Sequence, residues 1–166
     1  GSDFFVPMAG VAASHKVKVA LVGSTSAALA RAKVRLEAEI PGIEIVSTIS
    51  PPMGFDPSGS DAADVIAEVA ASGAGLCFVA LGAPKQEMFA AMGRRLAPHL
   101  GFVSIGAGLD FLAGTQQRAP VWVRRFALEW LWRALSSPRR LGVRYLKCMK
   151  VLPQHLMRAM MQRAQA

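Results

Sequence analysis

The sequence predicts an α/β fold: a Rossmann-like, mostly parallel sheet with helices on both faces, followed by a basic helical appendage. Three observations carry the prediction. Apolar runs of strand length alternate with helical patterns from Lys16 to Gly114, the order that builds a doubly wound layer. The run from Leu76 to Leu81 is apolar without alternation, the habit of a strand buried on both faces of a parallel sheet. Charge then divides the chain: residues 1–117 hold 8 Lys+Arg against 10 Asp+Glu, whereas residues 118–166 hold 11 Lys+Arg and 1 acid, Glu129. The 166 residues suffice for one sizeable core, expected over 1–117, with 118–166 as the appendage.

Taken in order, residues 3–14 read as a short apolar helix capped by Asp3. Lys16 to Val22 is the first strand. It ends at Gly23-Ser24-Thr25-Ser26, and an Ala-rich helix runs on to about Glu39. A glycine and hydroxyl residues between a strand tip and a helix start can hold a phosphate or a ribose. Equally, Ser24 or Thr25 can simply cap the helix. Pro41-Gly42 ends that helix, Ile43 to Ile49 forms the second strand, and Ser50–Pro57 is an irregular loop that includes Gly54 and Phe55. Ser60 or Asp61 caps a helix to about Ser72, and Asp64 favours its first turn. Gly73-Ala74-Gly75 turns into the third strand. A helix after Pro84 runs to about Leu96 and is closed by Pro98, and Phe102 to Ile105 is the fourth strand.

The third strand stops at Gly82-Ala83-Pro84, and Lys85, Gln86 and Glu87 follow at the start of a helix. Gly82 can take backbone angles that other residues avoid, and Pro84 suits a first helical turn. In open α/β sheets ligands bind beyond the carboxyl ends of the strands, so the polar trio lies where substrate contacts are expected; an ordinary turn with solvated side chains is the alternative. The fourth strand ends in Gly106-Ala107-Gly108-Leu109-Asp110, where small residues permit close ligand approach. Asp110 can accept hydrogen bonds from a base or a sugar hydroxyl, or serve as a helix cap or a partner for Arg118. Four loops, Gly23–Ser26, Ser50–Pro57, Gly82–Glu87 and Gly106–Gly114, are expected to converge on one sheet edge.

Hydrophobic residues make up 52 % of the chain and its mean hydropathy is +0.33, yet no apolar run reaches the length of a membrane span. The start, Gly1-Ser2-Asp3-Phe4, lacks a basic region and a long apolar core, so no signal peptide is expected. Cys77 and Cys148 stand far apart and form no metal-ligand pattern, which points to a reducing compartment and to no metal. The Gly23 turn is not GxGxxG, which argues against a nicotinamide-dependent oxidoreductase. In the appendage, Val123, Phe126, Trp130 and Ala134 recur at helical spacing, and Arg140, Arg144 and Lys147 form a basic stripe beside Leu141, Tyr145, Met149 and Leu152. Such helices fit an anionic membrane surface, or else pack on the core with their charges solvated. Nucleic acid is not expected as a partner, since the aromatics lie in helices rather than on a stacking platform.

Leu81-Gly82-Ala83-Pro84-Lys85-Gln86-Glu87, Gly106 to Gly114, Arg118-Ala119-Pro120, Leu128-Glu129-Trp130-Leu131-Trp132-Arg133 and Pro138-Arg139-Arg140 together resemble the WecG/TagA/CpsF glycosyltransferases. The resemblance covers essentially the whole chain. It implies a bacterial enzyme without a cofactor. Such an enzyme transfers a sugar, N-acetylmannosamine, its uronic acid or a related hexose, with inversion and without metal. The donor is a UDP-sugar and the acceptor a polyprenyl-diphosphate-linked sugar in cell-surface polysaccharide synthesis. It also implies a peripheral position on the cytoplasmic face of the inner membrane. By the resemblance, Gln86, with Lys85, Glu87, Gly82, Ala83 and Pro84, contacts the donor or acceptor sugar. Asp110, Gly106 and Gly108, with Gly23, Ser24, Gly54 and Phe55, belong to the UDP site. Arg118, Arg133, Arg140 and Arg144 are expected near the diphosphates, where arginine forks neutralise charge on a leaving phosphate. The family has an earlier segment with a Thr-x-Asn-like motif and an Asp-Gly motif that carries the expected catalytic base. This chain begins beyond both, so the base is unassigned, and a truncated or cleaved product that binds donor and membrane without transferring sugar is expected. A non-catalytic membrane-surface or assembly module is the alternative reading. Self-association is a further expectation, from apolar surface that the absent segment would otherwise cover.

Overall fold

The computed structural model describes residues 2–115. The amphipathic helices expected over 118–166, and Arg118, Arg133, Arg140 and Arg144, lie outside the described residues. The elements run α1 (Ser2–Ser14), β1 (Val19–Gly23), α2 (Ser26–Glu39), β2 (Ile45–Ile49), α3 (Ser60–Ala71), β3 (Leu76–Ala80), α4 (Lys85–Leu96), β4 (Gly101–Ser104) and α5 (Gly108–Leu112). The four strands form one sheet in the order β2-β1-β3-β4, and every pairing is parallel. The expected α/β architecture is thus present.

Alternation along the strands sorts the side chains into two cores. Val19, Leu21, Ile45 and Phe78 point to one face, where they meet Phe5, Ala9 and Ala12 of α1, Leu29, Ala32 and Leu36 of α2, and Leu109 and Leu112 of α5. Ala20, Val22, Cys77 and Val79 point to the other, against Ala62, Ile66 and Val69 of α3 and Phe89 of α4. All five residues of β1 are buried, because the strand is central and covered on both sides. Phe5 anchors α1 by an edge contact with Phe78, ring centroids 4.8 Å apart. Full burial of one such ring is worth about 2–3 kcal/mol.

Several boundaries differ from the sequence expectations. The first helix starts at Ser2, so Asp3 lies inside it and is not its cap. The first strand starts at Val19 rather than Lys16, because Lys16 takes a turn conformation with φ 53°. Gly59 stands at the cap position of α3 with no side-chain cap bond, leaving Ser60 as the first helical residue and neither Ser60 nor Asp61 as cap. The third strand ends at Ala80, one residue short of Leu81. The fourth is Gly101–Ser104, its pairing with β3 beginning at Gly101 opposite Leu76. At the other side of the sheet, β2 alternates between buried Ile45 and exposed Val46 and Thr48, as befits a strand bonded on one side only.

Candidate functional site

The strand order creates a switch point. From β1 the chain passes through α2 to β2 on one side, and from β3 it passes through α4 to β4 on the other. Because β1 and β3 are neighbours, the loops leaving them diverge to opposite faces, the arrangement at which open α/β sheets place their ligands. Both α2 and α4 begin at this edge, so their first-turn N–H groups favour negative charge there.

Gly23 makes the approach of the two strand tips possible. It pairs with Ala80, its φ is +114°, and a Cβ built on it would stand 2.6 Å from the carbonyl carbon and oxygen of Ala80. The next residue, Ser24, also turns through the left-handed region, with φ 60°. The cap of α2 is therefore Thr25, whose Oγ1 accepts the N–H of Ala28 at 3.2 Å. That leaves the Ser24 hydroxyl to donate to Oδ1 of Asp110, in the first turn of α5.

This bond is one of four that tie the loops into a closed ring. Ser24 of the β1–α2 loop donates to Asp110 of the β4–α5 segment. The backbone N–H of Gly106, in that same segment, donates to Oε1 of Gln86 in α4 at 3.0 Å. The neighbouring Lys85 sends Nζ to the carbonyl of Phe55, in the β2–α3 loop, at 2.6 Å. Ser50, at the start of that loop, donates through Oγ to the carbonyl of Ser24 at 2.8 Å and completes the circuit. A net hydrogen bond contributes on the order of 1 kcal/mol, and fixing loops in advance saves that ordering cost on binding.

The candidate residues take different places in this frame. Gly82 turns with φ +73° into a cis Ala83–Pro84 peptide, and Ala83, Pro84 and Lys85 are exposed. Gln86 is 7 % exposed, and among the described residues it is the buried polar side chain. Its Nε2 donates to Oε1 of Glu87 at 2.7 Å. Gly54 is exposed at the loop tip, whereas the Phe55 ring turns inward, 6.2 Å from that of Phe89, and its carbonyl accepts from Lys85. Gly106 turns with φ +57°, and Gly108 is buried beneath Ile105 and Phe5. Asp56 is held below its usual range by the Ser58 N–H and hydroxyl, with the Lys85 charge adding to them. Among the described residues no cluster of His, Cys, Asp and Glu could hold a metal ion. Sequence reasoning places Ser50 in a converging loop but gives its side chain no role, since the hydroxyl carries no signal beyond its place at a strand end. That reasoning missed Arg35, whose Nη1 donates to the carbonyl of Leu112 at 3.0 Å and secures the end of α5.

The fold and this edge define a doubly wound α/β protein whose switch-point loops are braced by hydrogen bonds. Residues 1–166 match the glycosyl transferase WecG/TagA/CpsF family, and the chain belongs to that family. It is also 35 % identical over 141 residues to an N-acetylglucosaminyldiphosphoundecaprenol N-acetyl-beta-D-mannosaminyltransferase of Bacillus spizizenii. That alignment covers 84 % of this chain and 52 % of the relative, so the chain spans about half the length of the curated relative it matches. Among the described residues no helix is long and apolar enough to cross a membrane.

Proposed function

We propose that this chain is part of a bacterial glycosyltransferase that moves a sugar from a UDP-sugar to a polyprenyl-diphosphate-linked acceptor in cell-surface polysaccharide synthesis. Family membership over the whole chain is the observation that carries the reading. The relative's name supplies the sugar class, an N-acetylhexosamine of the mannosamine type, and a diphosphoundecaprenol-linked acceptor. The geometry is compatible with it. The helix starts on either side of the switch point suit a diphosphate. In this reading Asp110, which accepts a hydrogen bond from Ser24, also accepts from ribose or uracil donors, beside the positive-φ turn at Gly106.

In this reading the Gly82–Glu87 corner meets the sugar. Arg118, Arg133, Arg140 and Arg144 neutralise the diphosphates, which allows inverting transfer without a metal. The 11 basic residues of 118–166 hold the enzyme to an anionic leaflet, peripherally and on the cytoplasmic face. Calorimetric titration of the chain with UDP, and with ADP and NAD as controls, tests the reading. Selective UDP binding that weakens in Asp110→Ala is expected. Absence of UDP binding, or equal binding of ADP, overturns it.

A further inference from the structure

Gln86 occupies an unusual position for a group expected to touch a sugar. It is buried, and both ends of its carboxamide are engaged. The chemistry of the partners fixes which way the amide points. The Gly106 N–H can only donate, so it faces Oε1, and the Glu87 carboxylate can only accept, so it faces Nε2. The side chain therefore joins the start of α4 to the β4–α5 loop: it pins the backbone just beyond β4 and holds the carboxylate of the residue beside it. Glu87 lies in the first turn of α4, is exposed, and meets Gln86 through one of its two oxygens. A carboxylate accepts at several sites, and sugar hydroxyls are donors in search of such acceptors.

We propose that Gln86 is a positioning residue, whose buried amide locks the Gly106 turn and aims the Glu87 carboxylate, and that Glu87 is the group that receives hydrogen bonds from the sugar. The inference rests on the glycosyltransferase reading and moves the sugar contact from Gln86 to its neighbour. Gln86 then acts on sugar binding only through Glu87 and the Gly106 turn.

A double-mutant cycle separates the two roles. The quantity measured is the ratio of the affinity of the chain for UDP-N-acetylmannosamine to its affinity for UDP, by calorimetry. Glu87→Ala, at an exposed side chain, is expected to lower that ratio about tenfold, the worth of a charged hydrogen bond. Gln86→Glu keeps an oxygen for the Gly106 N–H but sets a carboxylate against Glu87, and is expected to lower the ratio as much. The double variant, Gln86→Glu with Glu87→Ala, is expected to lose no more than either alone, since both act on one contact. The double exchange Gln86→Glu with Glu87→Gln rebuilds the side-chain bond with donor and acceptor reversed. It should restore the melting temperature lost in Gln86→Glu without restoring the ratio.

An unchanged ratio in Glu87→Ala, additive losses in the double variant, or a native chain with no sugar contribution to affinity overturns the proposal. Failure of the native chain to prefer UDP over ADP overturns the proposed function instead.

Discussion

Replacing Gly23 by alanine is expected to destabilise the fold by about 2–5 kcal/mol. Two costs combine. An alanine at φ +114° sits in a backbone region that L-residues avoid, at roughly 1–2 kcal/mol. Its Cβ would also stand 2.6 Å from the Ala80 carbonyl group, well inside the ~3.5–4.0 Å of an ordinary carbon contact. The Ala80 atoms are backbone in a buried strand, so relief requires the two central strands to part, and such overpacking costs roughly 1–3 kcal/mol. Urea unfolding followed by circular dichroism measures the sum as a lower midpoint at unchanged slope. Gly42→Ala is the control: its φ is +81°, but nothing lies within 4 Å of the added carbon, so only the backbone cost of about 1–2 kcal/mol is expected. A Gly23→Ala loss equal to that of Gly42→Ala, or below about 0.5 kcal/mol, would refute the close-approach argument.

Three further outcomes are expected. Gly93→Ala should destabilise, against the gain of about 1 kcal/mol usual for such a change inside a helix. The added carbon would fall 2.2 Å from the Phe102 ring, and thermal unfolding reads the sign. Cys77 should resist iodoacetamide at mildly alkaline pH and react only after unfolding, as peptide mass spectrometry would show, because burial pushes its thiol from 9.0 up to about 12. Between those values the folded chain keeps a proton that the unfolded chain has released, so this group makes stability fall as pH rises through the window. Ser58→Ala should raise the Asp56 pKa toward 3.8 in a carboxylate NMR titration, since it removes one of the two Ser58 bonds that lower it. The sign follows from the lowered value: the stabilisation is present above the unfolded pKa and is lost as pH falls.

The strands were legible because β1 and β3 are short, apolar and covered on both faces, and a buried strand leaves that mark whatever its partners are. Helix starts were less so. A cap depends on local backbone angles, and Gly59 displaced Ser60 and Asp61 with no compositional signal. The edge position of β2 was invisible, because strand order depends on pairing between distant segments. The same limit applies to the site. The β-α alternation was enough to place four loops on one edge. The bonds that join them link residues 86, 26, 30 and 20 positions apart, and no local pattern announces such pairs. Gln86 was grouped with exposed Lys85 and Glu87 by polarity. It is buried because its amide satisfies a donor and an acceptor at once, which only the folded neighbours reveal.

The hydrogen-bonded circuit at the carboxyl edge also bears on how such a protein can be re-engineered. Each loop holds two neighbours, so grafting a foreign segment into any one place opens two junctions at once. A transplant of Ser50–Pro57 alone, for instance, severs the contacts of both Ser24 and Lys85. Changes of specificity by loop exchange would have to move partners together, with the residues that clasp each other carried as a set.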